Sequence, residues 1–208
     1  GDNGIDRQGG MSGRFFDPSL VARTYRDPLA WLSLGTDLVP IIAIILFQWG
    51  PTPLVALYWL ENLVIGGYTI LRLAGSAVTG LGNLLMALFM IPFFTLHYGM
   101  FCYGHGIFIK SFSGDGGGGA GYMDVVNWAL GSGEGMVWFV AVIAASNMVF
   151  YLVDFIGKGE LRRTNPAAEM FAPYGRIVTL HVAIILGAFL SIATRQPLLG
   201  VLVLIFVR

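Results

Sequence analysis

Apolar positions fall into six continuous runs, at about residues 30–47, 52–74, 81–109, 136–156, 174–193 and 197–208. A sustained apolar run of about 18 residues or more reads as a membrane-spanning segment. Lipid offers backbone N–H and C=O groups no partner, so each span must bond within itself as a helix. A barrel would show alternating segments of about ten residues, and these runs are continuous instead. The pattern predicts an all-α membrane protein, a bundle of about six transmembrane helices. Residues 1–28 form a polar segment ahead of a single helical domain over 29–208. The sixth run holds twelve residues, or ~18 Å of helix against a hydrocarbon core of ~30 Å. It is either a short, partial span or the start of one that continues beyond Arg208.

The breaks carry turn chemistry. Trp49, Gly50 and Pro51 end the first run, and residues 75–80 make a short turn after the second. Residues 113–122, SGDGGGGAGY, read as a flexible loop. Their glycines lack the lysine and strand context of a phosphate-binding loop. The 124–130 stretch suits a short interfacial helix with Trp128 at headgroup level. Between the fourth and fifth runs, 158–173 reads as a connector, in which Asn165 followed by Pro166 starts a short helix holding Glu169. The first 28 residues contain no signal-peptide core. Met11 is a candidate start, and residues 15–27 suit the membrane surface.

Composition narrows the class further. The 208 residues are 56% hydrophobic and 12% charged, with twelve basic and twelve acidic side chains. A soluble domain carries about 25% charged residues. Disordered chains, disulfide scaffolds (Cys102 stands alone) and basic nucleic-acid binders are excluded. Sorting the basic residues by side assigns Arg7, Arg14, Arg23, Arg26, Arg72, Lys158, Arg162, Arg163, Arg176 and Arg208 to the side of the N-terminus. Only Lys110 and Arg195 fall opposite. The positive-inside rule then predicts a cytoplasmic N-terminus.

Ionisable groups inside spans are costly and are the first place to seek function. The leading candidates are Asp37, Glu61, His97, His105 and His181. Tyr58, Tyr68 and Arg72 share a helical face with Glu61, while Asn62 points ~100° away. Counting ~1.5 Å per residue from the helix ends permits Glu61, His97 and His181 to converge. A carboxylate with two imidazoles suits zinc or iron, with an open position for water. Such a water, with its pKa lowered toward ~7, would serve hydrolysis of a lipid-like substrate. Asp37, Asn62, Arg72, Asn147, Tyr174 and Arg176 are supporting candidates, and His105 is expected to be peripheral. Tyr174, Arg72 and Arg176 suit a headgroup phosphate or carboxylate. Plainer roles stay open: Glu61 paired with Arg72 or Arg176, or protonated against a tyrosine; His97 as an interhelical bridge; Asp37 organising a kink at Pro40. Gly66, Gly67, Gly99, Gly104, Gly106 and Gly187 are expected to admit close helix approach.

Three blocks, YWLENLVIG from Tyr58, FFTLHYGMFCYGHGIF from Phe93 and PYGRIVTLHVAIILGAFL from Pro173, resemble an uncharacterised family of bacterial polytopic integral-membrane proteins. The resemblance rests on a WxEN block, an H-x7-H block and a PYGR-x4-H block. It implies location in the bacterial inner membrane and marks Glu61, Asn62, His97, His105, Pro173–Arg176 and His181 as signature positions. It implies no activity.

Whether the protein is an enzyme is left open. The first reading is an intramembrane Glu/His metal site. The alternative is a non-enzymatic small transporter, or an accessory subunit of a larger membrane complex, with His97 or His181 holding a haem or chlorin or nothing. Its partners would be the lipid bilayer, further copies of the chain or other subunits, and no nucleic acid. Proton movement through Asp37, Glu61 and His181 ranks third.

Overall fold

The structure is a computed structural model and describes residues 27–115, 117–163 and 165–195. The expected N-terminal surface segment and sixth run lie outside the described residues, as do the side chains of Arg176 and His181. Six α-helices follow in order: α1 Pro28–Phe47, α2 Pro51–Ala77, α3 Leu81–Phe112, α4 Tyr122–Gly131, α5 Met136–Phe150 and α6 Pro166–Thr194. A π-helical segment, Tyr151–Gly157, extends α5, and a 3-10 turn, Glu160–Arg162, precedes α6. Among the described residues there is no strand. Four of the described helices are long and apolar enough to cross a membrane: α1, α2, α3, and α5 with its π extension.

The helix starts follow local chemistry. Asp27 caps α1 by accepting the Leu29 N–H at 2.9 Å, and Pro28 takes the first position, where no N–H is needed. Asn165 does the same for α6, accepting from Ala167 N at 3.0 Å ahead of Pro166. The expected cap is present, but the expected short helix is not separate. The connector from Pro166 and the fifth apolar run form one 29-residue helix through Pro173. Pro173 removes one N–H from the ladder, yet the helix continues across it.

The central helix is α2, packed against all five others. Its residues from Ala56 to Asn62 are all buried, whereas α1, α3 and α5 leave large apolar side chains exposed. That distribution fits helices whose outer faces meet hydrocarbon rather than water. Two glycines set the α2–α3 approach. A Cβ at Gly66 would come within 2.5 Å of the Tyr98 ring, and one at Gly106 within 2.6 Å of Trp59. Gly67, Gly99 and Gly104, expected to act likewise, face open space.

The glycine-rich loop after α3 is tied down rather than loose. Tyr103 donates to the Ala120 carbonyl, Lys110 Nζ to Gly119 O at 2.8 Å, and Trp128 Nε1 to Asp115 at 3.2 Å. Asp124 accepts the Gly121 N–H at 2.9 Å, closing the first turn of α4. Lys110 is only 7% exposed, so its ammonium depends on that carbonyl and on the helix C-terminus around it. A charged hydrogen bond contributes about 1.5 kcal/mol, so Lys110→Met should raise amide exchange over residues 117–121 about tenfold. Unchanged exchange there would show that Lys110 does not hold the loop.

Candidate functional site

Glu61 sits on the central helix at 5% exposure, in a buried sequence Tyr58-Trp59-Leu60-Glu61-Asn62. Two hydrogen bonds fix the α2–α3 register beside it. Trp59 Nε1 donates to Cys102 O at 2.7 Å, and Tyr98 Oη donates to Asn62 O at 3.0 Å. These set Glu61 opposite about Met100, ~4.5 Å along the axis from the level of His97. The strip of α2 that meets α3 is Trp59, Asn62 and Gly66. Glu61 lies ~130° round from that strip, on the side of Tyr68 and Arg72.

That side serves α5 and α6. Tyr68 Oη donates to Ala144 O of α5 at 2.9 Å. Arg72, which the sequence offered to Glu61, is instead 4.0 Å from Glu169 in the first turn of α6. Burial pushes the Glu169 carboxyl above the ordinary range, against the pull of Arg72. The pair is partly exposed and contributes little to stability.

The residue with the most developed surroundings is His97. Its Nδ1 and Tyr174 Oη lie 2.7 Å apart in a hydrogen bond that joins α3 to α6. Phe93 stacks on the imidazole at 5.2 Å and 26°, and Phe101 meets it edge-on at 5.1 Å. Tyr174 is itself fixed by edge contacts with Phe94 and Tyr98, at 6.1 and 5.8 Å. Both of those rings are buried, in a cluster with Leu73, Cys102, Met170 and Ile177. Phe89, stacked on Phe93, extends the series outward. Phe89, Phe93, His97 and Phe101, four residues apart, make a stripe ~18 Å long on α3. Its phenylalanines are 42–70% exposed on the outer face of the bundle.

The other nominated residues are distributed more widely. His105 is 8% exposed, on the α3 strip with Tyr98, Cys102 and Ile109 that faces α2. It lies ~12 Å along α3 from His97. Asp37 is exposed on α1, which among the described residues packs against α2 and α5 rather than the α3–α6 seam. Asn147 donates to Ile143 O of its own helix at 2.8 Å. Neither joins His97. For Arg176 and His181 only the α6 backbone is described. Position 181 continues the helical series of 170, 174 and 177 on α6. Among the described residues no three His, Cys, Asp or Glu side chains gather as a metal-holding group.

The molecule is thus an all-helical bundle of membrane-spanning character, with one imidazole pinned at the α3–α6 seam. The chain belongs to DUF6498, a family of unknown function whose model matches residues 19–208. No curated protein and no solved structure matches it.

Proposed function

We propose that the protein is an integral membrane protein of the bacterial cytoplasmic membrane, N-terminus inside, that holds a ligand within the bilayer through His97. The bond between His97 Nδ1 and Tyr174 carries this reading. His97 is 16 residues from the start of α3 and 15 from its end, so it lies near mid-span, where a polar group without a partner is costly. Tyr174 satisfies one ring nitrogen, and Phe93 and Phe101 fix the plane of the ring. The second nitrogen is left for something that is not part of the described bundle. The ten-to-two distribution of basic residues supports the orientation.

The test is an organic-solvent extract, with an absorption spectrum, of the full chain purified in mild detergent. A lipophilic small molecule should accompany the wild-type protein at near-stoichiometric amounts and be lost in His97→Leu. Its repeated absence from wild-type preparations would overturn the reading.

A second reading keeps Glu61, His97 and His181 as ligands of zinc or iron. It is favoured by helical spacing, which puts position 181 on the face of α6 that carries Tyr174, the partner of His97. Metal analysis of the same preparations checks it: no stoichiometric metal, unaltered by His181→Ala, would remove it.

A further inference from the structure

We infer that the ligand at the α3–α6 seam is a quinone-type lipid, whose ring carbonyl accepts a hydrogen bond from His97 Nε2–H. The inference rests on the proposed seam site and deepens it. Its starting point is the proton between Tyr174 and His97. Among the described residues, the phenol of Tyr174 has one hydrogen-bond partner, His97 Nδ1 at 2.7 Å. A phenol must place its O–H proton on an acceptor or leave it bare in hydrocarbon, at a cost of several kcal/mol. We take Tyr174 to donate and Nδ1 to accept, the arrangement that satisfies the phenol with the partner at hand. A neutral imidazole accepting at Nδ1 carries its own proton at Nε2. His97 presents a donor rather than a lone pair, so the atom it seeks is an uncharged acceptor.

Depth selects among membrane acceptors. The ester carbonyls of ordinary lipids lie at the edges of a hydrocarbon core ~30 Å thick, and acyl tails have no acceptor at all. His97 is near the middle of its 32-residue helix, so a helix centred on the bilayer holds it ~15 Å from either ester layer. The acceptor has to be carried to mid-span by an apolar molecule. The surface around His97 matches a flat ring with a hydrocarbon tail: Phe93 and Phe101 flank the imidazole, and Phe89, Leu96 and Met100 continue the apolar face at 67–70% exposure. A quinone combines these features in one neutral molecule. A haem would require the Nε2 lone pair that this tautomer lacks.

The experiment titrates a benzoquinone with a short alkyl tail into the detergent-solubilised full chain by calorimetry, beside nitrogen-15 spectra of histidine-labelled protein. Saturable binding is expected, weakened at least tenfold in His97→Leu and several-fold in Tyr174→Phe, which frees the tautomer without removing the imidazole. The spectra should show His97 protonated at Nε2 in the wild type and shifted toward the Nδ1–H form in Tyr174→Phe. A proton on Nδ1 in the wild type overturns the inference. So does quinone binding unaffected by His97→Leu in protein that keeps its helical spectrum and elution volume. If the solvent extract contains a different lipophile that is lost in His97→Leu, the seam site stands and the quinone assignment falls. If wild type yields no lipophile and binds no quinone, both fall. Full-yield cross-links between copies at Leu96→Cys, indifferent to quinone, would assign the face to a second copy and also overturn it.

Discussion

Replacing Gly106 with leucine is expected to lower the stability of the bundle by at least about 3 kcal/mol, at the upper end of overpacking costs. A Cβ at this position would lie 2.6 Å from the Trp59 ring and 2.7 Å from Val125 Cγ1. Neither neighbour can withdraw cheaply. Trp59 is 1% exposed and anchored by its bond to Cys102 O, and Val125, on α4, is fully buried. The leucine would have to part α3 from α2 and α4 together. Gly104, two residues earlier, has nothing within 4 Å of its Cβ position, so Gly104→Leu supplies a matched control. Denaturation by a harsh detergent in mixed micelles should show a large loss for Gly106→Leu and almost none for Gly104→Leu. Equal stability of the two would mean that α2 and α3 are not in close contact at this level.

The two glycines show where sequence reading stops. Both belong to the same small-residue class, and helical spacing cannot say which of them meets a neighbouring helix. The four long apolar helices are legible in the sequence because each is apolar along its whole length. The observed α1, α2, α3 and α5 with its extension start within two residues of the apolar runs and end within three. The fifth apolar run starts at about 174, whereas its helix starts at Pro166. Hydropathy reports where side chains turn polar, as at Glu169, whereas a helix continues wherever its backbone bonds continue. The π-helical Tyr151–Gly157 left no trace in the sequence pattern. Nothing in side-chain polarity says whether an N–H reaches back four residues or five.

The candidate site divides along the same line. The shared face of Glu61, Tyr68 and Arg72 follows from spacing on one helix. Their partners, Ala144 and Glu169, lie on other helices and depend on how the bundle closes. Sequence spacing marks His97 and Tyr174 for separate roles, and their bond depends on α6 lying against α3. One signal was present in the sequence: phenylalanines four residues before and after His97 place aromatic rings along one helix face.

The second large effect is expected from Trp59→Ala, at about 3–5 kcal/mol, the usual cost of removing a buried tryptophan. The indole fills the contact between α2 and α3 and donates to the Cys102 carbonyl. Trp59→Phe separates the two contributions, since it keeps most of the ring and loses the donor, for about 1 kcal/mol. The pair of sites gives a sharper test than either alone. With the indole removed, a leucine at 106 gains the volume that Trp59 occupied, so the double variant should cost less than the two single changes together. A coupling of about 0.5–3 kcal/mol is expected for residues in direct contact. The same denaturation assay measures it. If the two losses add in full, Trp59 and Gly106 do not share a contact. The register that sets Glu61 and His97 ~4.5 Å apart along the axis would then lose one of its supports.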